Sequence, residues 1–408
     1  MVVPASADLN TDSTVFEFST PEYRLSARGV KQAVDPSSWD GAGVAEAVES
    51  LLVHAGNDGP VVGCIPFDTG RPAVLYVPEE VSWRQGSALV DAPVGTAAET
   101  AAEAPQHAVG DELRVPDSPS YRRAVARAVD RIGAGELEKV VLARTMSLEA
   151  DGGFDVDRIV ADLGTANPHA YIYRADLTAA ELAGRDGGLR GEAHPILVGA
   201  SPELVLRSRR GAVTSAPLAG SIPRDRGNPA RDRELTRGLL ASPKDRAEHG
   251  LVVRQVGDVF RDHADNVVVP ETPSVISTPV ILHLGSRITG RLPGTGSPGA
   301  VMRMLYDLHP TPAVCGWPTA SARGVIDELE DFDRGMYSGL VGWVDADGNA
   351  EWALTLRGGV VTGSRAQLFA GAGIVEGSVP EDEHRETATK FATFARVLQD
   401  QQRRSVSV

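Results

Sequence analysis

Lysine is nearly missing from this sequence. Of 40 basic residues in 408, only Lys31, Lys139, Lys244 and Lys390 are lysine; the other 36 are arginine. Where charge alone is wanted the sequence writes arginine, so a retained lysine marks a place where guanidinium would not serve. Lysine is a compact charge that can lose its proton on burial and act as a base, which arginine effectively cannot. Survival by chance under an arginine-rich coding bias explains Lys31 and Lys244 equally well. It explains Lys139 and Lys390 less well, because they stand in the patterned segments ELEKVVLAR and EDEHRETATK.

Other scarcities exclude whole classes. Two cysteines, Cys64 and Cys315, provide neither a disulfide framework nor zinc spacing, so a reducing cytoplasm is the expected compartment. No apolar run approaches the ~20 residues of a membrane span. The opening MVVPASADLNTDSTVFEF lacks the basic and apolar regions of a secretory signal, so a soluble intracellular protein is expected. A formal charge of −15 argues against nucleic acid or an anionic membrane as partner. An anionic small molecule stays open, provided local Arg, Lys or metal reverses the field. The sequence contains no repeat, no P-loop and no dinucleotide fingerprint.

What is present divides at an Ala-, Pro- and Glu-rich stretch, Asp91 to Asp117, which reads as a long loop. Residues 1–118 read as an N-terminal α+β portion and residues 119–403 as one catalytic region. Early elements are strands at 61–66 and 73–77 and a helix at 44–54. Ser118 or Ser120 caps a helix with Tyr121, Val125, Val129 and Ile132 on one face. The spacing predicts strands at 137–148, 169–174, 196–200, 204–207 and 213–217, then a helix from Pro243 to Asp262. An extended segment (274–288), helices near 298–308 and 318–330, and a hairpin joining 339–344 to 351–357 follow. A strand at 367–370, a glycine turn and a helix from Pro380 to Asp400 close the pattern. Strands and helices do not alternate, so the expected class is α+β with large antiparallel or mixed sheets.

The two long helices both begin with paired acids. SPKDRAEH sets Asp245 and Glu248 three residues apart; PEDEHRETATK does the same for Glu383 and Glu386, with Lys390 one turn further along that face. Facing each other, such pairs can hold a hard divalent cation such as magnesium. Acid pairs of this kind are more often helix caps and dipole partners on a solvated face. Glu203 in GASPELVLRS suits a general acid, but the sequence alone favours an exposed rim residue. The LFAGAGIV turn (Gly371, Ala372, Gly373) offers backbone amides that could cradle a carboxylate, although glycine turns mostly serve geometry. Arg357, ending EWALTLR, is a candidate anion partner or a surface arginine. His283 and His309 show no metal-ligand spacing, and no Ser-His-Asp or Cys-His arrangement can be argued.

In order, KVVLAR, GASPEL, PLAGSIPR, SPKDRAEH, HLGSRITG, HPTPAVCG, LVGWVD, GNAEWALTLR, AGAGIV and EDEHRETATK resemble the chorismate-utilising enzyme family. HPTPAVCG followed by IDELEDFDRGMYSGLVGW is most similar to its isochorismate synthases, particularly those serving catecholate siderophore pathways. The resemblance implies a magnesium-dependent isomerase converting chorismate to isochorismate. It assigns the base to Lys139 and the acid to Glu203. Magnesium goes to Glu248 and Glu386, with Asp245 and Glu383 as outer partners. The substrate falls to Arg357, Gly371 to Gly373, Lys390, His283 and Ala313. Alanine at 313 resembles synthases that stop at isochorismate, whereas salicylate- and anthranilate-forming relatives tend to carry threonine. The Cys64 segment lacks the elbow of a glutaminase nucleophile, so no ammonia-supplying subunit is expected, and the resemblance favours a monomer. Gly250 departs from the glutamate often found there in close relatives and leaves the ExxE spacing intact. Alternatives are a salicylate synthase, an isochorismate synthase for menaquinone, and a non-catalytic chorismate-binding subunit. Presence of both Lys139 and Glu203 argues against the last.

Overall fold

Helix starts follow from local chemistry. Asp40, Ser118, Asp155, Asn228, Ser242 and Ser297 each accept a hydrogen bond from the amide three residues on and open a helix. Each such cap contributes about 1 kcal/mol. Pro119, Pro229, Pro243 and Pro298 follow four of them, where the missing amide costs nothing. The structure, a computed structural model, is described for residues 14–85, 117–182 and 193–406. Most of the expected loop, residues 91–116, falls outside them.

In chain order the elements begin with β1 (Thr14–Ser19), β2 (Tyr23–Arg28), β3 (Gln32–Ala33), α1 (Gly41–Glu49), β4 (Val61–Ile65), β5 (Val74–Val77) and β6 (Glu80–Gln85). Then come α2 (Pro119–Gly133), β7 (Lys139–Glu149), α3 (Val156–Ala166), β8 (Tyr171–Asp176), β9 (Ile196–Ser201) and β10 (Leu204–Arg209). β11 (Ala212–Ala216), β12 (Leu218–Pro223), α4 (Pro229–Ala241), α5 (Pro243–His263), β13 (Asp265–Val268), β14 (Ser274–Ser277) and β15 (Ile281–Gly285) follow. β16 (Ile288–Arg291), α6 (Pro298–Leu308), β17 (Gly316–Trp317), α7 (Thr319–Leu329), β18 (Leu340–Val344) and β19 (Ala350–Leu354) come next. β20 (Gly358–Thr362), β21 (Arg365–Val375) and α8 (Pro380–Val406) end the series.

Two nine-stranded sheets carry the fold, in the orders β17-β7-β21-β20-β9-β8-β1-β2-β6 and β13-β16-β11-β10-β19-β18-β4-β5-β3; β12-β15-β14 form a small third sheet. Strands from residues 14–85 therefore lie in the same sheets as strands from the rest of the chain. Side-chain alternation explains how the layers stack. Val62, Cys64, Val341, Trp343 and Ala353 of the second sheet meet Phe16, Phe18, Leu25 and Leu197 of the first. Their neighbours Val61, Ile65, Leu340, Trp352 and Leu354 turn outward against α1, α5 and α6. On the first sheet, Val198, Ala370 and Leu368 turn outward against α3 and α8. The architecture is helix, sheet, sheet, helix, and α+β as expected; every strand pair is antiparallel.

Local departures from expectation have physical causes. The strand expected at 213–217 is β11, ending before Pro217, which cannot donate to a ladder; β12 beyond it is not among the expected strands. The helix expected at 44–54 is α1 continued by a π-helical turn, Ser50–His54. No glycine turn interrupts residues 371–373: β21 runs unbroken through them, paired residue by residue with β7.

Candidate active site

β7 is buried along its first six residues, as expected of a strand covered on both faces, yet it begins with a lysine. Val140 and Leu142 pack against α2 and α7. Lys139, Val141 and Ala143 point the other way, and Lys139 is 0% exposed. Its Nζ lies 2.9 Å from Glu248 Oε1 of α5, but it has no hydrogen bond of acceptable geometry among the described residues. Gly373 of β21 faces it. A Cβ there would stand 2.3 Å from Glu248 Oε1 and 3.1 Å from Lys139 Cε, so the missing side chain is what lets the pair approach.

The starts of α5 and α8 come together, joined by Lys244 of α5 and Glu383 of α8, and two further lysines meet their acids. Lys139 meets Glu248, Lys244 meets Glu383 at 3.2 Å, and Lys390 meets Glu386 at 2.6 Å. Lys244, left to chance by its sequence context, is thus part of the group. Burial acts to raise Glu248, but Lys139, then Lys390 and Lys244, outweigh it and hold the carboxyl below the usual glutamate range. Burial raises Asp245 and Glu383, with Glu248 and Glu386 adding repulsion. Among the described residues no three Asp, Glu, His or Cys side chains close into a metal cage. Magnesium does not require one, because it takes one or two protein carboxylates and keeps waters and substrate oxygens. Mutually repelling hard oxygens from two helix starts fit that ion.

Glu203 and Arg357 come from two corners where the chain passes between the large sheets, β9 to β10 and β19 to β20. The corners are tied together: Leu354 N donates to Glu203 O at 3.1 Å, and Ala200 N donates to Arg357 O at 3.2 Å. Arg357 takes a left-handed backbone (φ 53°), uncommon for a side chain of its size and often found at functional sites. Glu203 is buried rather than on a rim, and desolvation pushes its carboxyl up to about 7 against the pull of Lys139, Arg357 and Lys390. His283 of β15 is buried; desolvation, Arg357 and Lys390 drive its imidazole well below the usual value. Its Nε2 lies 3.4 Å from Arg357 Nη2. A guanidinium only donates, so Nε2 accepts and Nδ1 carries the proton toward Ser221 Oγ, 2.7 Å away.

Lys390 Nζ donates to Gly371 O at 2.8 Å, and Val375 N donates to Ser378 Oγ. Both backbone groups therefore point to the edge of β21 that β20 leaves uncovered beyond Leu368. Strand alternation gives the Gly373 amide the same direction, so these backbone groups lie along an uncovered strand edge rather than in a turn. Ala372 is the exception. Its methyl lies on the opposite face, level with Leu142 in the ladder. Ala313 is half-buried against the core in the turn before β17, two residues from Cys315, whose carbonyl accepts from Val141 N. Cys64 lies buried inside β4 and burial pushes its thiol up, so it is no nucleophile.

Sequence reasoning passed over Ser221 and Tyr337. Tyr337 stacks on Phe369 at 5.0 Å, and its Oη lies 3.0 Å from where a Cβ on Gly371 would stand. The signal for Ser221 was the positive φ of Gly220 (73°), where a Cβ would meet Asp245 at 3.0 Å. The glycine in PLAGSIPR is what brings β12 against α5.

Residues 83–399 match the family described as chorismate binding enzyme. The chain is 36% identical to isochorismate synthase DhbC of Bacillus subtilis, over 94% of this chain and 93% of that protein. It is 37% identical to isochorismate synthase EntC of Escherichia coli, over 83% of this chain and 81% of that protein. The crystal structure of DhbC from Bacillus anthracis superposes with a TM-score of 0.82 at 32% identity, covering 96% of this chain and 97% of that one. Residues 83–399 and the likenesses over most of the chain place it plainly: the chain belongs to the chorismate-binding enzyme family.

Proposed function

We propose that this protein is an isochorismate synthase, an isomerase that moves a hydroxyl group from C4 to C2 of chorismate. One observation carries the reading: a fully buried lysine with an unfilled hydrogen-bonding capacity shares a space with a glutamate raised to about 7. A water oxygen bonds to C2 while a proton of that water passes to Lys139 Nζ. The two ring double bonds shift, the C4–O bond breaks, and the proton of Glu203 leaves with the departing hydroxide as water. Glu248 and Glu386, backed by Asp245 and Glu383, are the residues that would hold magnesium. When bound, the ion offsets charge between these glutamates and the anionic substrate. Arg357, Lys390 and the Gly371 and Gly373 amides receive carboxylate, and neutral His283 and Ser221 supply hydrogen bonds beside Arg357.

The product feeds a catecholate siderophore route; the Bacillus anthracis neighbour is described as 2,3-dihydroxybenzoate-specific. The enzyme works as a cytoplasmic monomer without a glutaminase subunit. No described helix is long and apolar enough to cross a membrane, and the buried Cys64 offers no ammonia-generating nucleophile. Chorismate incubated with protein and magnesium tests the reading. Isochorismate in equilibrium with chorismate supports it, whereas stoichiometric salicylate and pyruvate would favour a salicylate synthase.

A further inference from the structure

β7 is paired with β21 along its whole length, residues 139–149. Among the described residues its other edge has a strand neighbour only at Lys139 and Val140, which pair with Trp317 and Gly316 of β17. Cys315 O takes the next amide, Val141 N, at 2.8 Å. Beyond that point the backbone stays buried, and bare amide or carbonyl groups there are costly. Two side chains take the place of the missing strand. Arg334 Nη2 donates to Val141 O at 2.7 Å, and Ala143 N donates to Glu330 Oε1 at 2.7 Å. The pair is closed on itself, with Nη2–Oε1 at 2.5 Å and Nε–Oε2 at 2.8 Å, and both side chains are 3% exposed. Arg334 Nη1 also donates to Val314 O, at 2.8 Å, beside Ala313. Tyr337 N donates to Arg334 O at 2.8 Å. One buried ion pair thus joins the strand of Lys139, the turn of Ala313 and the loop of Tyr337.

Stability alone does not call for charge at this place, since replacing a buried ion pair by apolar groups of similar volume often leaves stability unchanged or raises it. What apolar groups cannot supply is a strand edge, with donors and an acceptor at the fixed spacing of a guanidinium–carboxylate fork. We propose that Glu330 and Arg334 are positioning residues for the isomerisation, holding the strand of Lys139 and the turn of Ala313 in reacting register. The inference rests on the isochorismate synthase reading, because it assigns Lys139 the reacting base. The residues act through β7 and not on the substrate.

The test compares wild type with Arg334→Lys and with the charge-free double variant Glu330→Leu, Arg334→Met, reading melting temperature, kcat and KM with magnesium present. The double variant is expected to melt no lower than wild type, with kcat down about a hundredfold, the effect of a ~1 Å misplacement, and KM within about threefold. Arg334→Lys keeps the charge but not the fork, and its kcat falls by a similar factor at unchanged KM. Folded variants with kcat near wild type would overturn the proposal. So would failure of both variants to fold, or a melting drop that accounts for the lost rate, because the pair would then be structural. A wild-type protein that makes no isochorismate would overturn the reading of function instead, and that is settled before any variant is measured.

Discussion

Lys139 and Glu351 are both charged and both fully hidden, and they are opposites in every other respect. Glu351, inside the second large sheet, has Arg207 at 2.5 Å, Arg209 at 2.8 Å and the Tyr23 hydroxyl at 3.0 Å on its two oxygens. Trp343 Nε1 donates to that hydroxyl in turn, and Arg209 lies over the Trp343 ring at 5.0 Å. Two cations and a donor saturate one anion, and nothing remains for a ligand to do. Lys139 has a single carboxylate at 2.9 Å, no well-formed hydrogen bond among the described residues, and a glycine, Gly373, beside it on the next strand. Burial therefore does not distinguish these two charges; saturation does, and on the proposed function it is the unsaturated one that acts.

The sharpest way to break the contrast is to remove what the unsaturated site awaits. EDTA should abolish turnover and added magnesium should restore it; Glu248→Gln and Glu386→Gln should each lose metal-dependent activity while remaining folded. If both retain near wild-type rates, the helix-start acids are only caps. Next, the two buried charges can be exchanged for neutral groups. Lys139→Ala should fold normally and lose about two to four decades in kcat, the usual span for a general base, with Lys139→Arg almost as poor. Glu351→Ala should do the reverse, costing about 3–5 kcal/mol in a denaturant titration by leaving two arginines uncompensated. An active Lys139→Arg enzyme would reduce Lys139 to a charge-pairing residue like those around Glu351.

Glu203 sharpens the contrast through pH. Its folded-state carboxyl is raised to about 7 from 4.5, so the acid is protonated below neutrality. The rate should fall above about pH 7 as that proton is lost. Glu203→Gln should cost about two to four decades in kcat and erase this alkaline limb. Linkage runs the same way: the raised carboxyl costs nothing below pH 4.5 and up to about 3 kcal/mol above pH 7. Glu203→Gln should therefore stabilise the fold only at the higher pH. Ala313→Thr is the mildest change. The added hydroxyl and volume should slow isochorismate formation and raise pyruvate release, read by coupling to lactate dehydrogenase.

What was legible in the sequence was local. Helix starts at Ser118 and Ser242 could be read because a cap is a three-residue event. The run KVVLAR could be read as a strand because β7 is covered on both faces. The acid pairs were visible as spacing, but whether they cap helices or face one another depends on α5 meeting α8, a relation absent from either segment. Glycines 371 and 373 looked like a turn because glycine breaks strands in isolation. In the fold they are strand residues whose missing side chains make room for Glu248 and Tyr337. Arg334 and Glu330 were hidden in an exposed-looking acidic stretch, since only the unfinished edge of β7 gives them a task.

The central claim, that an under-satisfied buried lysine and a protonated buried glutamate move a hydroxyl group on chorismate, meets its most direct test in one product analysis. Wild-type protein, chorismate and magnesium are followed by proton NMR to equilibrium, beside Lys139→Ala under the same conditions. The account predicts isochorismate alongside chorismate, essentially no pyruvate or salicylate, and an unchanged chorismate spectrum for the variant. Stoichiometric pyruvate from wild type, or isochorismate formed at wild-type rate by Lys139→Ala, would contradict it.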